Sequence, residues 1–379
     1  MAENNIAYGL AGVVADDTTI SKVMPEINTL TYRGYAVQDL SAACDFEEVA
    51  YLLWTGELPT KAQLDEFKAQ TQSERGVSAE VLTMMGQLNP QAHPMDTLRT
   101  VVSFVGQQDN TANDTSPEAL KAKSTRLYAQ IPEIVAGNFR ISKGLEPIPA
   151  DPTLGFSANF FHMCFGEVPA TEVVECFDIS MVLYAEHSFN ASTFTARTIV
   201  SSQSDIYSGV TGAIGSLKGP LHGGANEAVM HMLKEIGEPS AAKQWMLDAL
   251  AAKKKTMGFG HRVYRSGDSR VPTMTEAFKK MVEVIDTDEA RKYWEMSRIL
   301  DDTMVEEKGI YPNLDFPAGP AYYLMGFDIP IFTPIFVLSR ITGWTAHIME
   351  QVADNKLIRP LSNYNGSPKR EVTPLDERA

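Results

Sequence analysis

From Asp45 onward, apolar positions recur at helical spacing. Asp45 precedes Glu48 in a capping arrangement, Val49, Leu52 and Leu53 supply an apolar face, and Gly56 stops the run. Thr60 and Gln63 open a second helix with Leu64 and Phe67 inward. Pro94 starts a third, carrying Met95, Leu98, Val101, Val102 and Val105, and Ser116-Pro117-Glu118 starts a fourth, carrying Leu120, Leu127, Ile131 and Ile134. Further helices are expected over Thr273 to Ile285 and Thr287 to Val305. Only Thr18 to Tyr32 offers β-branched residues in loose alternation, enough for a short strand or hairpin. The predicted class is all-α.

No repeat of fixed period is present, which argues against a helical solenoid. The apolar stretch from Phe316 to Leu338 is broken by Pro317, Pro320, Asp328, Pro330 and Pro334, so it reads as protein core and not as a membrane span. Residues 219–319 are more charged than their flanks. They are expected to form a smaller domain inserted into a larger one made of residues 1–218 and 320–379.

A chain of 379 residues, 44% of them hydrophobic, can build more than one core. Its net charge of −15 disfavours nucleic acid and anionic membranes as partners, because both require a basic footprint. Cys44, Cys164 and Cys176 show neither a disulfide framework nor thiolate metal spacing, and no pair of histidines has metal-binding helical spacing, so no metal is expected. The N-terminus has no basic region followed by an apolar core, which makes the cytoplasm the expected compartment.

Candidate chemistry begins at Gly219-Pro-Leu-His222-Gly-Gly-Ala-Asn226, where a histidine sits on a glycine-flanked turn just before a helical run. A helix N-terminus discourages protonation of a nearby imidazole, leaving a neutral donor, and Gly223 and Gly224 are expected to let a substrate approach the backbone. A second glycine-bracketed histidine, His261, follows in Gly258-Phe-Gly-His261-Arg-Val-Tyr-Arg265. A third element, Pro312-Asn-Leu-Asp315-Phe-Pro, sets a lone carboxylate among apolar residues, where desolvation raises its proton affinity and suits it to act as a base. Lys253, Lys254, Lys255, Arg262, Arg265 and Arg270 form a basic island against Asp268 alone, a local attraction for phosphate.

His222, His261 and Asp315 together resemble the citrate synthase family. The resemblance extends over nearly the whole chain, through Leu183-Tyr-Ala-Glu-His187-Ser-Phe-Asn-Ala-Ser192, Arg270, Phe336-Val-Leu-Ser-Arg340-Ile-Thr-Gly343 and Lys356-Leu-Ile-Arg359-Pro-Leu-Ser-Asn363. It implies a two-domain helical homodimer that condenses oxaloacetate with acetyl-CoA, and with propionyl-CoA, then hydrolyses the thioester. On that resemblance Asp315 is the base, His222 donates to the thioester oxygen, and His261 protonates the ketone oxygen of oxaloacetate. His187, Arg270, Arg340 and Arg359 would hold the two carboxylates of oxaloacetate, with Arg359 reaching the neighbouring subunit's site. Lys255, Thr256, Met257, Gly258, Phe259 and Arg262 would bind CoA, which is a substrate, so no cofactor is expected. The stretches around His187 and Arg359 resemble the 2-methylcitrate synthase branch in particular. A dedicated propionyl-CoA enzyme and a non-catalytic CoA-binding scaffold are the alternatives.

Overall fold

Both predicted capping boxes form. The Asp45 side chain accepts the Glu48 backbone N–H while Glu48 returns a bond to Asp45, and Thr60 and Gln63 do the same. Gly56 closes the first of these helices in the left-handed conformation. The computed structural model describes residues 6–261, 264 and 267–378.

In chain order the helices are α1 (Val37–Ala43), α2 (Phe46–Thr55), α3 (Lys61–Ser73), α4 (Ala79–Gln87), α5 (Pro94–Gln108), α6 (Pro117–Ile141), α7 (Phe156–Phe165) and α8 (Thr171–Tyr184). They continue with α9 (Ala191–Val200), α10 (Ile206–Leu217), α11 (Ala225–Ile236), α12 (Pro239–Ala251), α13 (Val271–Ile285), α14 (Asp288–Lys308), α15 (Asp315–Leu324) and α16 (Phe332–Ala353). The expected hairpin is β1 (Ser21–Met24) against β2 (Thr29–Tyr32), with Ser21 opposite Tyr32. A two-residue β3 (Tyr35–Ala36) adds a third antiparallel strand. The fold is all-α apart from this small sheet.

Helix α16 is the axis of the molecule. It is buried on every side from Phe332 to Ile348, as an apolar helix must be, and it packs against α2, α5, α6, α8, α9, α10 and α11. The stretch that the prolines marked as core is therefore nearly all of α15, a short 3-10 turn and the start of α16. Among the described residues no helix is long and apolar enough to cross a membrane.

Helices α11 to α15 pack chiefly on one another, α12 on α14, α11 on α15, and α13 on both α14 and α15. Two helices of this group touch the remainder most directly: α13 lies along α8, and α11 meets α16. The loop entering α13, which ends in Arg270, is thereby set beside the C-terminal end of α8.

On the other side of α8, Asp178 ties three helices together. Its carboxyl accepts the Ser157 hydroxyl of α7 at 2.5 Å and the Phe46 backbone N–H at the start of α2 at 3.0 Å. Burial pushes this carboxyl up to about 7, with the negative charges of Asp45 and Glu47 adding to the effect and the two hydrogen bonds opposing it. A folded-state value above the ordinary one means that stability is fully present below about pH 4 and is lost as pH rises through about 7. Asp178→Asn keeps an acceptor for Phe46 and gains a donor for Ser157. It should leave stability near pH 4 unchanged and raise it at pH 8 by on the order of 1–3 kcal/mol, measured by denaturant unfolding at both pH values. A wild-type protein no less stable at pH 8 than at pH 5, relative to this variant, would contradict the assignment.

Candidate active site

The last carbonyls of a helix have no partner within it, and the end of α8 illustrates what that permits. Met181 O accepts the Ser339 hydroxyl, Val182 O the Tyr32 hydroxyl at 3.1 Å, Leu183 O the Arg270 Nη1 at 3.4 Å, and Tyr184 O the Arg340 Nε at 2.7 Å. Side chains from β2, from the loop before α13 and from α16 converge on one helix end, and two of them are arginines drawn by its negative pole. The chain then turns through Glu186 and His187.

Arg270 and Arg340 are both buried, yet they are balanced differently. Arg270 is bound by Asp268 through two parallel contacts, Nε to Oδ1 at 2.9 Å and Nη2 to Oδ2 at 2.7 Å. Asp268 also accepts the Leu314 backbone N–H at 3.3 Å, so one carboxylate fixes both the arginine and the residue before Asp315. Arg340 has no such partner among the described residues. Its guanidinium lies 4.7 Å from the Phe336 ring centroid, its Nη1 finds no hydrogen bond, and burial lowers its proton affinity to about 10. A buried cation left in this condition is costly unless an anion meets it.

His222 stands on the turn before α11. Its Nε2 accepts the Ser192 backbone N–H at 3.2 Å and lies 2.8 Å from the Ser192 hydroxyl. An atom that accepts a backbone N–H carries no proton, so the ring hydrogen is on Nδ1. Trp344 Nε1 and Asn190 hold the Ser192 hydroxyl in turn. Burial, and after it the Arg340 charge, push the ring down to about 3. The helix N-terminus expected to do this begins two residues on, at Gly224. Gly223 serves packing instead of substrate approach, because a Cβ there would lie 2.6 Å from Leu217 O.

Asp315 is the first residue of α15, and its Oδ1 accepts the Tyr184 hydroxyl at 2.7 Å. Burial pushes its carboxyl up to about 6 against the opposing Tyr184 bond and the Arg270 and Arg340 charges. The carboxylate is not as solitary as the sequence implied, since Asp268 also contributes to the rise. The Phe336 ring joins the parts, lying 4.2 Å from the Tyr184 ring and 6.4 Å from the His222 ring.

His261 and His187 face each other at 5.1 Å, both beside Tyr264. The Tyr264 backbone N–H donates to His261 Nδ1 at 3.3 Å, which puts the His261 hydrogen on Nε2, the opposite tautomer to His222. Burial and then Arg270 hold His261 down at about 4. The same two causes hold His187 well below the ordinary histidine value, and its Nε2 has no hydrogen-bond partner among the described residues.

The segment before His261 is docked onto the one before Asp315. Gly258 O accepts the Asn313 N–H at 2.9 Å, Gly260 N–H donates to Tyr311 O at 2.8 Å, and the Phe259 and Phe316 rings pack at 4.5 Å. Gly258 has φ +85, and a Cβ there would sit 2.5 Å from Val229. Of the residues expected to bind CoA, Lys255 is exposed, Met257 and Phe259 are half-buried, Thr256 and Gly258 are buried, and Arg262 lies outside the described residues. In the basic island Lys254 is engaged by Glu235 at 3.2 Å, and Arg265 also lies outside the described residues. Arg359 is exposed and makes no hydrogen bond or ion pair among the described residues. The single chain therefore gathers His187, His222, His261, Arg270, Asp315 and Arg340 and leaves Arg359 apart.

Four contributors escaped sequence reasoning. Tyr184 and Ser192 lay inside a quoted motif without a role, and Asp268 was counted only against the basic island. Glu186 is the fourth. It is fully buried, and its Oε1 accepts the Ser21 hydroxyl and His347 Nε2, each at 2.9 Å. A buried acidic residue beside a candidate histidine was the available signal.

Comparison with known proteins finds relatives over nearly the whole chain. The family described as "Citrate synthase, C-terminal domain" matches residues 9–361. A 2-methylcitrate synthase of Mycobacterium tuberculosis is 57% identical, covering 97% of this chain and 92% of its own. A citrate synthase of Mycolicibacterium smegmatis is 56% identical, covering 97% of both chains. A structure of the citrate synthase of Thermoplasma acidophilum, described as a ternary complex with carboxymethyl coenzyme A and oxaloacetate, superimposes with a TM-score of 0.92 at 31% identity, covering 99% of this chain and 100% of that one.

Proposed function

Because the chain belongs to the citrate synthase family, we propose that its cleft condenses oxaloacetate with acetyl-CoA and propionyl-CoA and then hydrolyses the thioester, giving citrate or 2-methylcitrate and free CoA. One observation carries the reading. Two imidazoles held neutral in opposite tautomers accompany a desolvated carboxylate and a buried arginine whose Nη1 has no hydrogen bond among the described residues.

The roles follow from the atoms. Asp315, ionised above about pH 6, takes a proton from the carbon next to the thioester carbonyl. The charge that develops on the thioester oxygen meets His222 Nδ1–H, which donates without passing through an imidazolium. The resulting enol attacks the ketone carbon of oxaloacetate, and the ketone oxygen receives its hydrogen from His261 Nε2. Arg340 Nη1, His187 Nε2 and the outer edge of Arg270 are the donors left for the oxaloacetate carboxylates. A water then cleaves the citryl thioester.

CoA would lie along Lys255 to Phe259, the segment that leads into His261. Residues 219–319 form the closing lobe in this reading, and the exposed Arg359 acts in the site of a partner subunit in a homodimer. Three free cysteines, two of them buried, fit a reducing cytoplasm. A dedicated propionyl-CoA enzyme is the second reading, favoured by the relative named 2-methylcitrate synthase at 57% identity. A pocket distinguishes one methylene by only about 1–3 kcal/mol, so turnover of both thioesters is expected.

Thiol release with oxaloacetate and each acyl-CoA tests the reading. The wild-type protein should react with both, and Asp315→Asn should lower kcat by about two to four orders of magnitude. No thiol release from either thioester would overturn it. Mixing Asp315→Asn protomers with Arg359→Leu protomers, each inactive alone, should restore about a quarter of wild-type activity if each site takes Arg359 from its partner. No recovery on mixing would place Arg359 elsewhere. Finally, Tyr184→Phe removes a bond that lowers the proton affinity of Asp315. The acid limb of the kcat/KM profile should move upward by on the order of half to one pH unit. An unmoved limb would show that Asp315 is not the titrating base.

A further inference from the structure

Behind the oxaloacetate arginines lies a buried polar chain that the reaction does not use. Arg197, only 2% exposed, donates from Nη1 to Glu350 at 2.8 Å and lies 3.2 Å from His347 Nδ1; its Nη2 reaches Asp16 at 3.0 Å. An arginine can only donate, so His347 Nδ1 accepts and its Nε2 carries the hydrogen that Glu186 Oε1 receives at 2.9 Å. Ser21 supplies the second donor to the same oxygen, and its own oxygen is fixed by the Ser188 N–H at 2.9 Å.

Glu186 and Arg340 are opposite charges, both fully buried, each felt by the other, and no ion pair joins them. Neither is fully satisfied. Among the described residues Glu186 Oε2 and Arg340 Nη1 are both without a hydrogen-bond partner. They are also neighbours. Glu186 Oε2 packs where a Cβ on Gly343 would be, 2.3 Å from that position, and Gly343 lies one turn beyond Arg340 on α16. A carboxylate packed one helical turn from a guanidinium with an unbonded Nη1 would be expected to swing onto it, and what opposes the swing is the pair of donors holding Oε1.

We propose that the Arg197–His347 pair is a latch that holds Glu186 off Arg340, keeping the guanidinium charged yet open for a substrate carboxylate. His347 and Arg197 are positioning residues, touching no substrate. The inference rests on the reading that Arg340 binds oxaloacetate. It goes beyond that reading in assigning Glu186 as an internal competitor for the same guanidinium. Glu186 supplies negative charge at a distance that favours ionisation of Arg340 without occupying its donors. If the latch is broken, Glu186 takes the place of the incoming carboxylate.

The test is a cycle read in steady-state kinetics with oxaloacetate as the varied substrate. His347→Phe removes the donor to Glu186, and it should raise the oxaloacetate KM about tenfold or more while changing kcat less than about threefold. Adding Glu186→Gln to it removes the competing charge, and the double variant should return KM to within about threefold of wild type. His347→Gln, which can still donate, should stay near wild type. If His347→Phe proves too unstable, Arg197→Lys, which withdraws the Nη1 donor that orients His347, takes its place with the same expectation. An unchanged KM in the single variants, or a KM that stays high in the double variant, would overturn the latch. Arg340→Leu separates the two claims. An unaltered oxaloacetate KM there would defeat the carboxylate assignment itself, whereas a large rise there with no effect at His347 would defeat only the latch.

Discussion

The unsatisfied C-terminal end of α8 is the constraint on which the site depends. A helix must leave its last carbonyls to other groups. Here they are taken by Tyr32, Ser339, Arg270 and Arg340, from three separate parts of the chain. The helix end therefore positions two guanidinium groups through one nitrogen each; Asp268 takes the other two nitrogens of Arg270, and Arg340 Nη1 is left without a hydrogen bond among the described residues. Its last residue, Tyr184, also reaches Asp315 by its hydroxyl. Backbone accounting at one helix terminus thus places both buried arginines and the Asp315 carboxyl. Neighbours on the same turn, Glu186 and His187, complete the arrangement.

Charge balance in this interior is local and unequal. The chain as a whole is at −15, yet among the described residues the buried Arg340 has no direct counter-ion. Arg270 has Asp268, which also holds the backbone leading into Asp315, so one carboxylate fixes Arg270 and the start of α15 together. A cavity of about 370 Å3 does touch Asp268, but Asp301, Asp302 and Glu306 also line it. An acidic wall of that kind repels a dicarboxylate.

Much of this was legible in the sequence, for identifiable reasons. Asp45 with Glu48 and Thr60 with Gln63 announced their helices because capping is local chemistry, written within four residues. His222, His261 and Asp315 stood out because glycines or prolines bracket them. Tyr184, Asp268 and Glu186 were hidden, since their partners Asp315, Leu314 and His347 lie far away in the chain and the pairings are decided by packing. His347 is the sharpest case. Taken alone it is one histidine on an apolar helix, and only the fold supplies Arg197 on one side and Glu186 on the other. The tautomers of His222 and His261 were equally hidden, because backbone N–H groups set them.

One physical cause then produces groups of opposite character. Withdrawal from water disfavours whichever form is charged, so it lowers the two histidines, to about 3 and about 4, and raises Asp315 to about 6. The imidazoles remain neutral donors at every pH where the carboxylate is ionised, and the carboxylate is a stronger base than one in water. Opposite tautomers aim the hydrogen of His222 through Nδ1 and that of His261 through Nε2, so each ring can serve a different oxygen. A reaction that creates negative charge first on a thioester oxygen and then on a ketone oxygen requires two preorganised donors and one base. Burial of this one pocket yields groups of all three kinds, and Arg270 and Arg340 at the end of α8 set positive charge beside them.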